Sequence, residues 1–93
     1  KTLVFYANQT TQKVNLYNPE NNDCLFKLKL YADDSQIWES GYIKPNDGYY
    51  DIELNEPLNI GEYAGKLLYQ CYKEDGTQLN SAVVSFKLTV KEQ

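Results

Sequence analysis

Histidine is absent from this 93-residue chain, and with it go the usual general base, metal ligand and pH switch of a protein site. What remains for chemistry is two cysteines, 13 carboxylates, nine tyrosines and one tryptophan. Neighbouring carboxylates stand at Asp33-Asp34 and Glu74-Asp75, a pairing that pushes one proton affinity up when water is kept away. Both pairs lie in turn-forming sequence, where water reaches them, so acid–base catalysis is not expected. No serine or cysteine nucleophile motif and no glycine-rich phosphate loop occurs. Two soft ligands without histidine do not complete a tetrahedral zinc site. The acidic turn Glu20-Asn21-Asn22-Asp23 offers oxygen ligands to calcium, but Asn and Asp are equally the ordinary substance of turns. These residues point to a protein that is not an enzyme, with no catalytic residue, cofactor or metal expected.

Aromatic side chains are the better candidates for contact with a partner. Tyr17, Tyr31, Tyr49 and Tyr72 fall on outward-facing positions by alternation, and Trp38 with Tyr42 flanks a short strand. A flat ring buries much area at low entropic cost, so an exposed set binds sugar rings or protein surfaces. Tyrosine also fits the pleated surface of a strand for its own sake. Tyr17, Tyr49, Trp38 and Tyr42 are therefore the candidate binding aromatics.

Strands must position these residues, because the apolar pattern has period two. Val14 and Leu16 alternate with polar neighbours, and Phe26, Leu28 and Leu30 with Lys27 and Lys29. Tyr50, Ile52 and Leu54 repeat the pattern, then Tyr63, Gly65, Leu67, Tyr69 and Cys71, and finally Val84, Phe86, Leu88 and Val90. Each such run reads as a half-buried antiparallel strand with one packed face and one wet face. Turn-forming residues separate the runs at Asn18–Asp23, Asp33–Ser35, Lys44–Gly48 and Glu74–Gly76. No segment carries a helical stripe, and no internal repeat occurs.

Size and charge set further bounds. Residues 1–93 make a single domain, and one this small buries only roughly 60% of its unfolded surface. A formal charge of −4 argues against nucleic acid, whose phosphates demand a surplus of Lys and Arg. It argues equally against an anionic membrane surface, and no apolar run is long enough for direct insertion. The chain begins at Lys1. That fits a domain cut from a longer protein, or a mature fragment whose export signal or anchor has been removed.

One local motif narrows the fold. Leu58-Asn59-Ile60-Gly61-Glu62-Tyr63 reads Leu-x-x-Gly-x-Tyr and leads into the longest alternating run. The spacing of Leu58, Gly61 and Tyr63 resembles the tyrosine corner of immunoglobulin and fibronectin type III folds, in which the phenol bonds back to the preceding backbone. The expectation is an all-β, immunoglobulin-like (Greek-key) antiparallel sandwich of about seven strands. In that fold strands B and E pair, which makes Tyr17 and Tyr49 cross-strand neighbours on the outer face of an ABE sheet. Strands C and F also pair, which brings Cys24 and Cys71 to one end on the inward face. They form either a disulfide or two buried free thiols. A disulfide would close a loop of roughly 48 residues, worth about 4 kcal/mol in the chain-entropy view.

The chain as a whole resembles a group of small secreted or anchored immunoglobulin-like domains of Gram-positive bacterial surface proteins. The matching stretches are Tyr17-Asn18-Pro19 through Asn22 and Cys24, then Ser40-Gly41-Tyr42-Ile43-Lys44-Pro45, Ile52-Glu53-Leu54, Leu58–Tyr63 and Leu79-Asn80. Asn46 stands where that group usually has glycine after the proline, a residue that still tolerates a left-handed backbone. The resemblance implies an extracellular or cell-surface location, anchored through a preceding segment, and brings no substrate with it. The expected function is a non-catalytic interaction module with adhesion-like or scaffolding contacts to protein. A carbohydrate-binding accessory module and a passive spacer are the alternatives, so the partner is a protein or a glycan.

Overall fold

With no helical stripe to bury, the chain forms strands throughout the computed structural model, which describes residues 2–93. Seven are present: β1 (Thr2–Tyr6), β2 (Thr11–Tyr17), β3 (Leu25–Ala32), β4 (Ser35–Glu39), β5 (Gly48–Glu53), β6 (Gly61–Tyr72) and β7 (Gln78–Lys91). No helix occurs among the described residues. The strands form a five-stranded sheet in the order β1-β7-β6-β3-β4 and a two-stranded sheet, β2-β5. The chain changes sheet between β1 and β2, β2 and β3, β4 and β5, and β5 and β6.

Two expectations about pairing need correction. The sheet is not wholly antiparallel, because β1 runs parallel to β7, with Thr2 opposite Lys87 and Tyr6 opposite Lys91. The first strand accordingly belongs to the larger sheet, and the expected ABE sheet has only β2 and β5. The contiguous Leu3-Val4-Phe5-Tyr6 run hides this strand from a period-two reading. Yet Phe5 is fully buried while Val4 and Tyr6 are exposed.

The core forms where the two sheets face. Leu28, Leu30, Ile52, Leu54, Leu67 and Leu88 are buried there, with Val14, Leu16, Phe26 and Phe86 packed against them. Gly65 pairs with Phe86 across β6 and β7, and a Cβ at Gly65 would collide with that ring. Ile37 and Trp38 are both buried although adjacent, because the β3–β4 register shifts between Leu30 and Tyr31. Tyr50, expected inward, is exposed. The β2–β5 register shifts between Lys13 and Leu16, and Tyr49 turns inward in its place.

Buried polar side chains tie the loops to this core. Asn18 is fully buried, and its Nδ2 donates to the carbonyls of Cys24 and Ile43, each at 2.8 Å. Asn22 Nδ2 donates to Asn18 Oδ1 at 2.8 Å. Gln12 closes the β1–β2 turn as a strand would: its Oε1 accepts the Tyr6 N–H at 2.9 Å and its Nε2 donates to the Tyr6 carbonyl at 2.8 Å. Among the described residues no buried side-chain polar atom lacks a partner, as close-packed interiors require. Asp33 and Asp34, at φ of 48° and 71°, form the two-residue β3–β4 turn. Asp33 Oδ1 holds this left-handed pair by accepting the Ala64 N–H at 2.8 Å.

Candidate functional site

A strand needs a neighbour on each side to satisfy its backbone, and β7 has two along only part of its length. β6 pairs with β7 from Gln78 to Val90, whereas β1 pairs with only five of its 14 residues, Lys87–Lys91. Nine residues, Gln78–Phe86, therefore form an open edge. Natural sheets guard such edges with lysine, proline or a bulge. Here the residues are Gln-Leu-Asn-Ser-Ala-Val-Val-Ser-Phe, with no charge and no proline, and the one register shift against β6 falls at Leu79, near the start of the edge. Leu79 and Val83 are exposed, Val83 to 60%.

Beside this edge the two sheets part. A groove of about 220 Å³ opens between β7 and β2, lined by Leu3, Val14, Leu16, Leu67, Val84 and Phe86. Val84, expected in the core, is 38% exposed because no strand covers that part of the groove. An extended segment laid along β7 would meet both unpaired backbone groups and an apolar trough for its inward side chains.

The four candidate aromatics do not gather. Tyr17 lies opposite Gly48 and is exposed, while Tyr49 lies opposite Leu16. The expected Tyr17–Tyr49 pair is therefore absent, displaced by the β2–β5 register shift. Trp38 is buried, and Tyr49 meets it edge to face at 5.1 Å while its hydroxyl accepts the Gly41 N–H at 3.1 Å. Tyr42 is exposed, edge to face with Tyr72 at 5.3 Å, with Lys27 Nζ 5.5 Å above its ring. Two of the four thus serve the core, and Tyr17 and Tyr42 are exposed.

The tyrosine corner has the geometry its spacing implies. The Tyr63 hydroxyl donates to the Asn59 carbonyl at 2.7 Å, and the ring packs half-buried against the core rather than fully inside it. Gly61 takes a φ of 154°, a conformation that side chains resist, and Leu58 packs beside Tyr63 against the core.

Cys24 and Cys71 are free thiols that lie side by side, Cys24 buried just before β3 and Cys71 half-buried on β6. Burial, then the neighbouring Cys24 thiol, pushes the Cys71 thiol up to about 11. It stays protonated at neutral pH and is a poor nucleophile. The Cys24 thiol donates to Asn22 Oδ1 at 3.6 Å, the same oxygen that accepts the Asp23 N–H at 2.9 Å. The acidic turn is thus held by its own hydrogen bonds. Among the described residues no three His, Cys, Asp or Glu side chains gather as metal ligands would.

The feature that the aromatic reading overlooked is the open edge of β7. Its signal in the sequence is the uncharged run from Gln78 to Phe86, in a chain where charged residues interrupt nearly every other strand. Comparison with protein-family models, with characterised proteins and with solved structures finds no match.

Proposed function

We propose that this domain is a non-catalytic interaction module of a bacterial surface protein, built on the immunoglobulin-like plan and working outside the cytoplasm. Its ligand is a protein, taken up as an added strand along β7. The observation that carries this reading is the nine-residue uncharged edge beside an apolar groove. A passive spacer would have reason to guard such an edge. A sugar-binding face would place its rings in an exposed row, whereas Trp38 and Tyr49, two of the four candidate rings, pack into the core.

Selection of displayed random peptides tests the proposal. The domain should enrich extended, uncharged, β-prone peptides, and Val83→Lys should abolish their capture while leaving the fold intact. Glycan binding that survives Val83→Lys but fails in Tyr42→Ser would overturn the protein reading in favour of the carbohydrate one.

A further inference from the structure

We propose that the open edge of β7 pairs with the same edge of a second copy of this chain, antiparallel about a two-fold axis near Ala82. The inference rests on reading that edge as a site for strand addition, and it names the partner. Charge is the first argument. Two copies of a chain carrying −4 repel, so contact is cheapest where each presents no charge. Gln78–Phe86 is such a stretch; the free edge of β1, Thr2–Tyr6, is also uncharged but only five residues long, and the edges of β2, β5 and β4 carry Lys13, Asp51, Glu53 and Glu39.

Direction is the second argument. Antiparallel self-pairing sets the Lys87 end of one β7, where Lys87 Nζ lies 3.2 Å from Glu62 Oε1, against the Gln78 end of the other, beyond which the turn carries Lys73, Glu74 and Asp75. A turn with a net negative charge thus meets the Lys87–Glu62 pair, which is neutral in sum, at both ends of the pairing, so neither end repels, and two-fold symmetry repeats every contact. Parallel pairing would instead bring like ends together. The third argument is the boundary that β1 sets. It occupies the edge from Lys87 onward, so the added strand stops at Phe86 and its register is limited. Opposed residues in an antiparallel pair share a face. The inward Val84 and Phe86 of one copy therefore join the partner's inward side chains over the groove, and Val83 faces the partner's outward side chains. The product is one continuous sheet of ten strands, five from each copy.

Sedimentation equilibrium on the purified domain reads the pairing, together with amide hydrogen exchange across a concentration series. An edge of this length predicts a dissociation constant in the micromolar to low millimolar range, roughly that of a small transient interface. Outward amides within Gln78–Phe86 should gain protection as dimer forms. Val83→Lys should raise the dissociation constant at least about tenfold, since like charges face across the axis. Val83→Glu should do the same, and an equimolar mixture of the two variants should restore association, which a folding defect cannot do. A wild-type protein that stays monomeric to about 1 mM, or a dimer indifferent to Val83→Lys, overturns the proposal. If that monomer still selects peptides at β7, only the second copy is refuted. If it selects none, the strand-addition reading falls as well.

Discussion

Between Lys87 and Lys91, β7 lies between β6 and β1, and Leu88 and Val90 are buried to 0% and 2% exposure. Between Gln78 and Phe86 the same strand has β6 alone, and Val83 and Val84 stand in solvent. Alternation is common to both halves, so it does not decide which residues are buried. What decides is the strand that lies across them: β1 closes one end of the sandwich, while β2 and β5 leave the other ajar. The closed end supplies stability. The open end spends less of its apolar surface on the fold: Phe86 packs against the core, while Leu79, Val83 and Val84 are left for contact with a partner.

Truncation breaks this comparison most directly. Leu88→Ala should cost about 2 to 5 kcal/mol, because it leaves a cavity in a fully packed site. A domain of this size has little more to lose. Val84→Ala, four residues away on the same face, should cost less than about 1 kcal/mol, since much of that side chain is already wet. Urea unfolding of both variants measures the contrast. Equal costs would mean that the open half is packed in solution.

Tyr63→Phe sharpens the account of the corner with a smaller effect. The hydroxyl donates to Asn59, but the acceptor lies at the surface and water replaces the lost partner. A loss of about 0.5 to 1.5 kcal/mol is expected, the net worth of an ordinary hydrogen bond, with the ring's packing unchanged. A loss above about 3 kcal/mol would show that the phenol is sealed from water.

Much of the fold was legible from residue spacing. β2, β3, β5, β6 and the later half of β7, the corner at Leu58–Tyr63 and most of the inward positions follow from alternation and turn chemistry; the short strand expected between Trp38 and Tyr42 instead runs from Ser35 to Glu39 and contains Trp38. Asn46, in the position where a glycine is usual, takes a φ of 74° as its side chain permits. The failures have one physical cause, which is that period-two patterns do not encode register shifts or coverage. The shift between Lys13 and Leu16 turned Tyr49 inward and Tyr50 outward, and so dissolved the expected Tyr17–Tyr49 pair. The shift in β3–β4 put Trp38 into the core. The first strand escaped because Leu3 to Tyr6 is apolar on both faces. The open edge was legible only as missing charge, a signal that carries meaning once β1 is known to stop at Lys87.

Titration separates the exposed carboxylates from the half-buried Cys71 thiol. Lys66, by hydrogen bond and then by charge, holds the Asp34 carboxyl below its ordinary value, and the Thr77 N–H does so for Asp75. The Thr10 and Thr11 hydroxyls lower Glu53 in the same way. With folded values depressed, the unfolded chain binds more protons, so stability rises with pH across this window. The contribution is present above about pH 4, the ordinary carboxylate range, and is lost as pH falls through the folded values. Cys71 acts at the other limb. Its folded value, about 11, lies above the ordinary 9.0, so stability is present below pH 9.0 and is lost as pH rises towards 11. Lys66, raised by Asp34, adds a loss in the same direction at higher pH. Of the three exposed carboxylates only Asp34 faces a charge, so 0.5 M salt, with the Debye length reduced to about 4 Å, should flatten its share of the acid limb and leave the shares of Glu53 and Asp75, which rest on neutral donors. Desolvation of Cys71 is not screened by salt, so its alkaline loss should persist in 0.5 M NaCl and vanish in Cys71→Ala. Urea midpoints measured against pH under reducing conditions, with and without salt, give both limbs. An alkaline limb that salt removes would assign the loss to Lys66 and Asp34 instead, and the thiol at the open end of β6 would then be as wet as the edge beside it.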